Sequence, residues 1–411
     1  MNTARQTHHP LISLGKQLFK RKSAFWGLLI IAMAYLLVIL GYSIIPDTTP
    51  NANDGAVEIA QKPPLFRVQL LKVHKNLPPQ KSGFLERLYW GEESSYLIIP
   101  LSRPPQIKGD SVYYQPYPGQ KTEAKLLLAC VKALYTGDRN FSGFPAAKRF
   151  HISKDSIQYI NAQQQGQSIT REALIREFWQ HNLEERMYVL GTDKSGRDVF
   201  SRLLFGTRIS LGIGFIAVFI ALLIGISLGA IAGYFGGLLD ALIMWLMTVN
   251  WSIPTIMMVM VISVIFHSHG IWVIFLAVGL TMWVEIARVV RGQFISLKQQ
   301  AFIEATHALG LSDWRIIYHH ILPNTLPALI VISTSNFATA ILIEAGLSFL
   351  DLGVAPPMPS WGGMVSEGYQ LLLSQNSWHL IVFPAACICT LVLAFNLLGN
   401  GLRDAFDPQN P

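Results

Sequence analysis

The chain has 411 residues, of which 14% are charged and 51% apolar, and its mean hydropathy is +0.37. Soluble domains carry about 25% charged residues, and disordered chains combine high charge with low hydropathy, so both classes are excluded and a membrane protein is expected. A formal charge of +7 suits nucleic acid only if the basic residues form one patch, and three cysteines are too few for a disulfide framework.

A helix needs about 20 mostly apolar residues to cross a bilayer. Residues 24–45 form the first such run, preceded by Arg5, Lys16, Lys20, Arg21 and Lys22 with no acidic residue. A cleaved signal peptide has a shorter apolar core, of about 7–15 residues, and a small-residue cleavage site. Ile44-Ile45-Pro46-Asp47 closes this run instead, so a retained anchor is expected, with residues 1–23 as a basic cytoplasmic N-terminus.

A polar insert follows at 46–187, on the external side if residues 24–45 cross the membrane. Its charges are mixed, 18 basic against 14 acidic. The pairs Pro63-Pro64, Pro78-Pro79 and Pro104-Pro105 mark turns and extended pieces. Val68–Val73 and Tyr96–Ile99 read as short strands, and Thr170–Arg186 as an amphipathic helix with Leu174, Phe178 and Trp179 on one face. At this length the insert can bury a small mixed α/β core of its own. The net charge is +5 before the first run, +4 in the insert and −4 from residue 209 onward, so no basic stripe remains for nucleic acid and the concentrated part is a topology signal.

Gly191 to Gly196 has the glycine spacing of a phosphate loop, but Arg197-Asp198 stand where Lys-Ser/Thr would reach phosphate and Mg²⁺. A turn leading into the next helix is expected, and no nucleotide hydrolysis by this chain. Apolar runs then follow at Ile209–Tyr234, Ala241–Phe266, Ile271–Val290, Leu326–Leu350 and His379–Leu398, giving six spans with both termini inside. The loops agree: Arg288 to Thr325 carries Arg288, Arg291, Lys298 and Arg315, whereas Asp351 to Trp378 has no Lys or Arg.

Histidines 267, 269, 319 and 320 lack carboxylate or thiol neighbours at ligand spacing, so neither a metal nor a cofactor is expected. Two ionisable residues fall inside spans. Glu285 is one helical turn from Arg288 and reads as half of a structural ion pair; Glu344, near the external end of its span, is a candidate pathway or gating residue, as is Asp351 beyond it. Neither span residue sits at the midplane, where a secondary transporter would bind its coupling ion. Between the fourth and fifth spans lies a helix–turn–helix pattern at 300–325, with Glu304-Ala305-Thr306, a break at Gly310 and a stop at Leu322-Pro323.

That segment resembles the EAA coupling loop of permease subunits in binding-protein-dependent ABC importers, and its surroundings resemble the C-type permease of the dipeptide/oligopeptide/nickel branch. The resemblance rests on Leu190 to Leu211, Ala232 to Asp240, Trp283, Ala287 to Gly292, Glu344 to Phe349, Pro359 to Gly362 and Leu398 to Pro408, all in the expected order. It covers residues 188–408 closely and 1–45 loosely. It departs at Thr306, where Ala is usual, at Trp245 and Thr248, where the family shows charged residues, and at Asp351, where it shows Gly. The Trp245 and Thr248 departures put in question any charge pairing near the turn at 233–240.

The resemblance implies an all-α polytopic protein of the bacterial inner membrane, with six transmembrane helices of the type I importer permease fold. The insert would lie outside, between helices one and two, and 188–408 would form the permease core. It implies a homologous second permease, two ATPase subunits and an external solute-binding protein as partners, with Glu304, Ala305, Thr306, Gly310, Leu322 and Pro323 coupling this chain to an ATPase. Peptide is the expected cargo, with nickel or a peptide conjugate as alternatives. A membrane-anchored receptor or scaffold is the reading from another class.

Overall fold

The computed structural model describes residues 21–77, 83–119, 121–137, 149–153, 156–266, 270–372 and 377–406. Pro78-Pro79, His267 and His269 lie outside them, as do Arg5, Lys16 and Lys20. The described residues divide into two compact units, one within Met1–Ile39, Gly206–Ser366 and Ile381–Pro411, the other within Leu40–Phe205 and Glu367–Leu380.

The first unit is helical. Five helices are long and apolar enough to cross a membrane: Lys22–Ser43, Val199–Phe235, Ile271–Lys298, Asp313–Phe349 and His379–Phe406. We label α1 (Lys22–Leu40), α5 (Val199–Phe235), α8 (Ile271–Lys298), α11 (Leu322–Phe349) and α13 (His379–Phe406) accordingly. The run expected as one span at Ala241–Phe266 is instead two helices, α6 (Gly237–Ser252) and α7 (Thr255–Ile265), bent by 94°. Counted as one span, the pair makes six. The break falls where Ile253 is extended (φ −98°, ψ 127°) and Pro254 has no N–H to continue the helix.

Hydrocarbon gives helices no hydrophobic reason to associate, so contact between spans depends on close backbone approach. On α5, Gly225, Gly229 and Gly233 recur every fourth residue and therefore share one face. A methyl at Gly225 would lie 2.8 Å from the Trp283 carbonyl, one at Gly229 2.5 Å from that of Ala287, and one at Gly233 2.7 Å from that of Arg291. Three turns of α5 thus rest on three turns of α8. Gly27 brings α1 equally close to α13, 2.6 Å from the Ala394 carbonyl by the same measure.

The second unit contains a five-stranded antiparallel sheet, ordered β4-β3-β2-β1-β8. Its strands are β1 (Phe66–His74), β2 (Tyr96–Lys108), β3 (Ser111–Pro116), β4 (Glu123–Leu126) and β8 (Leu183–Tyr188). A second sheet pairs β5 (Phe150–Ile152), β6 (Ser156–Ile160) and β7 (Gly166–Thr170). Helices α2 (Phe84–Trp90), α3 (Leu127–Val131) and α4 (Arg171–His181) complete it. Strand β1 is covered on both faces. Leu71 and Val73 join a core with Leu128, Leu174 and Phe178, whereas Val68 and Leu70 pack with Ile59 and Tyr188. Pro104-Pro105 falls inside β2, where the pairing with β3 shifts register between Arg103 and Gln106.

The helix expected over Thr170–Arg186 stops at His181. Asn182 turns the chain, its amide donating to the carbonyls of Lys72 (2.7 Å) and Cys130 (2.8 Å). Residues 183–188 then pair with β1, whose edge groups would otherwise be left without partners. Thr170 caps α4 through the Ala173 amide, and Leu174 and Phe178 are fully buried, but Trp179 is exposed rather than on the buried face.

Candidate functional site: the 300–325 segment and the buried carboxylates

Residues 301–316 form two short helices, α9 (Ala301–Ala308) and α10 (Asp313–Ile316), around Gly310. Helix α9 closes with a tight bond nested in a wide one, Gly310 N–H to the His307 carbonyl three residues back and Leu311 N–H to the Thr306 carbonyl five residues back. That closure needs a left-handed residue, and Gly310 has φ +72°. Nothing lies within 4 Å of where its Cβ would be, so a side chain here is opposed by the backbone rather than by neighbours. The strain is about 1–2 kcal/mol.

One face of the segment is anchored. Ile303, Thr306 and Ile316 are buried, and the Thr306 hydroxyl donates to the Ile303 carbonyl (2.7 Å). Thr therefore fits a position that suits Ala, because its extra polar group is satisfied within its own helix. At the end of α5, Tyr234 donates its hydroxyl to Asp313 (2.7 Å), and Lys298 donates to the Tyr234 carbonyl (2.6 Å). Arg291 grips Asp240 with two bonds of 2.6 and 2.7 Å, so charge pairing near the turn survives without an acidic residue at Thr248. The opposite face is exposed: Glu304, Ala305, Leu309 and Trp314.

Pro323 does not stop the helix as expected. The chain stays helical from Asp313 to Phe349, with a π-helical turn at Ile317–Ile321 just before Leu322-Pro323. A proline clashes with the carbonyl four residues earlier, and widening the preceding turn accommodates that. The segment is therefore joined rigidly to the following span. A cavity of about 790 Å³ opens between α8, α11 and α13, lined by Gln293, Asn324, Val331, Ser335 and Arg403 among others. Two of its three walls continue directly into the segment.

Glu344 on α11 is fully buried. Ser348 donates to its carboxyl at 2.7 Å, Ser210 of α5 at 3.3 Å, and Ser360 is a third hydroxyl partner. Asp351 is exposed and has φ +59°; its amide and that of Leu352 close α11 onto the carbonyls of Ser348 and Leu347. This is a left-handed helix cap, which explains why Gly suits the position. Glu285 and Arg288 do not form the expected ion pair: Glu285 is exposed, and the Arg288 guanidinium lies 3.7 Å from the Trp251 ring centre. Among the described residues, no three His, Cys, Asp or Glu are grouped as metal ligands would be.

The loop read as a plain turn at 191–198 holds a buried charge network. Asp193 accepts from Arg197 Nε (2.6 Å) and from Arg202, and Glu367 accepts from Arg202 (2.9 Å). Asp193, Arg197 and Arg202 are each less than 10% exposed. Burial pushes the Asp198 carboxyl above its usual range even though Ser201 and Phe200 donate to it. Five charged residues in the ten from Asp193 to Arg202, at the head of an apolar run, were the available signal, but charge in a loop ordinarily means solvent.

A profile of the family described as "Binding-protein-dependent transport system inner membrane component" matches residues 225–410, from the glycine stripe through α9 and α10 and beyond. The oligopeptide transport system permease protein OppC of Bacillus subtilis (strain 168) is 42% identical over 219 residues, covering 53% of this chain and 71% of that protein. The chain belongs to this family. The permease is also 45% identical over 219 residues to the glutathione transport system permease protein GsiD of Escherichia coli O6:H1, covering 53% and 71%. For the dipeptide transport system permease protein DppC of Bacillus subtilis (strain 168), identity is 42% over 219 residues, covering 53% and 68%. Among solved structures, the inward-facing MetNI methionine ABC transporter matches 50% of this chain and 96% of its own at 21% identity, with a TM-score of 0.41, too low to argue from. The permease is thus a multi-pass inner-membrane transport subunit, and its insert lies outside the matched profile.

Proposed function

We propose that this permease forms half of the translocation pathway of an ATP-driven peptide importer. The other half is a homologous second permease; two ATPase subunits hydrolyse the ATP, and an external solute-binding protein delivers cargo. Peptide is supported by the names of its relatives, which carry oligopeptides, dipeptides and glutathione. The termini and the 300–325 segment are cytoplasmic, and the 46–187 insert is external, where it contacts the binding protein or caps the partner permease. Residues 24–45 and 188–408 are then the first span and the permease core.

One observation carries the mechanism: a segment with one exposed face is bonded at its base to α5 and continuous with two walls of a cavity. Closure of the ATPase pair displaces the exposed face around Glu304, Ala305 and Leu309. Bonded to α5 through Asp313 and Lys298, and extended into α11 without a break at Leu322-Pro323, the segment moves as a lever, so α8 and α11 shift and the cavity changes its opening. Glu344, through its three serines, fixes α5 and the 359–361 stretch to the far end of α11, so that this end pivots while the cytoplasmic end swings. Gly310→Asp and Glu304→Arg should each abolish uptake of a labelled dipeptide in cells while the subunit remains in the membrane. Normal uptake by both variants would sink the coupling assignment.

A further inference from the structure

The mechanism makes no use of helix α2, which presents to its surroundings what a soluble helix hides. Phe84, Leu85 and Trp90 are 76%, 67% and 72% exposed, Tyr89 is exposed as well, and only Leu88 is half-buried. The helix is nevertheless held in place at both ends. Leu88 packs on the turn Gly41–Ser43, where a methyl on Gly41 would sit 2.4 Å from the Leu88 carbonyl. After the helix, a methyl on Gly91 would lie 2.7 Å from the Thr48 carbonyl, and Glu92 N–H donates to that same oxygen (2.9 Å). An apolar helix fixed with its aromatic residues outward is a built surface, not a frayed loop.

Its position along the chain identifies what covers it. The first span runs from Lys22 to Ser43, 22 residues. At 1.5 Å per residue this is about 33 Å, just over the thickness of a hydrocarbon core of about 30 Å. Gly41–Ser43 therefore lies where hydrocarbon gives way to headgroups, and α2 is packed against that turn. Trp and Tyr favour this depth because a flat apolar ring with one polar atom matches the boundary. Arg87 of the helix pairs at 2.9 Å with Glu92 just beyond it, and Glu86 accepts from the Gly83 amide at its start, so charge accompanies the apolar residues as at a membrane boundary.

We propose that α2 is an interfacial anchor, seating Phe84, Leu85 and Trp90 in the headgroup–acyl boundary of the bilayer and so tying the insert to the membrane surface at the end of the first span. The ligand is phospholipid, not a second protein. The test uses the full-length chain, reconstituted with its co-expressed partner subunits in nanodiscs of phosphatidylcholine and phosphatidylglycerol. Nitroxide labels go on Leu85→Cys, on Trp90→Cys and on the exposed control Gln163→Cys, after Cys130, Cys387 and Cys389 are replaced by Ala. Labels at 85 and 90 should collide more with oxygen than with a water-soluble nickel chelate, and the control the reverse. A preference for the chelate at both sites, or shielding from both reagents as a protein partner would give, overturns the proposal. The unmodified chain gives a second reading: a phospholipid with a photoactivatable headgroup should leave adducts on residues 84–90, and adducts confined to the spans would also overturn it.

Discussion

The two units handle polar and apolar groups in opposite ways. In the β-rich unit, helix α2 apart, the sheet and its covering helices point large side chains into a core, and Leu71, Leu128, Leu174 and Phe178 are fully or almost fully buried. In the helical unit many large side chains point out, among them Phe215, Phe219, Leu223 and Trp245, while glycines make the inner contacts of α5. Several of its hydroxyls are satisfied at home: Ser227, Thr248, Ser252 and Ser333 each donate to a carbonyl four residues earlier in their own helix. The solvent each unit meets accounts for the difference. Water drives large apolar groups together, whereas lipid leaves helices to associate through close backbone contact and demands that polar groups be satisfied internally.

The comparison breaks most visibly at charges. Arg202→Ala leaves Asp193 and Glu367 to share Arg197 in the β-rich unit, one buried positive charge short, and should cost about 3–5 kcal/mol, read as a large drop in apparent unfolding temperature; Asp193→Ala with Arg202→Ala should cost less than the sum of the two. Next come opposite changes of size. Phe178→Ala should destabilise the β-rich unit by about 3–5 kcal/mol through the cavity it leaves. Gly229→Leu should destabilise the helical unit by about 1–3 kcal/mol through overpacking against the Ala287 carbonyl, while Leu223→Ala, facing outward, changes little. If Leu223→Ala proved as harmful as Phe178→Ala, the division by solvent would fail.

Glu344 sharpens the contrast, being a buried carboxyl held in the bundle only by hydroxyls. Glu344→Gln keeps the acceptor and should leave thermal stability nearly unchanged, whereas Glu344→Leu strands Ser210, Ser348 and Ser360 at about 1–3 kcal/mol. The smallest effect is expected at Glu184 in the β-rich unit. Burial raises its pKa, but bonds from Arg186 and Lys72 outweigh that and hold it below the ordinary 4.5. Its stabilisation is complete above the ordinary value and lost as pH falls through the lower folded one. Glu184→Gln should therefore narrow the stability difference between about pH 6 and about pH 3, by no more than about 1 kcal/mol for so exposed a pair. An unchanged pH profile would show that the Glu184 ion pairs contribute nothing to stability.

The membrane character, the positions of the apolar runs and the helix–turn–helix at 300–325 were legible because they rest on local composition. Glu304 to Gly310 falls on α9 and its closing turn as the residues suggest, and Glu344 faces inward. The strands containing Val68–Val73 and Tyr96–Ile99 were legible from short runs rich in apolar and β-branched residues. The bend at Ile253-Pro254 fell inside a run read as one span, because hydropathy counts residues and not backbone direction, although Pro254 is itself a breaker. Arg288 had two partners within reach, and sequence distance favoured Glu285, whereas the fold placed Trp251 closer.

What the sequence determined by itself is what each residue contributes alone: burial preference, charge, and the backbone freedom of Gly310. What only the tertiary structure decided depends on pairs far apart in the chain. Arg202 meets Glu367 as well as Asp193, Asp240 meets Arg291, the α5 glycines meet α8, and Asn182 hands the end of a helix over to β1. The reason is physical. Local propensities are small and roughly additive along the chain, but burying a charge or bringing two backbones into contact is favourable only when the partner is already in place.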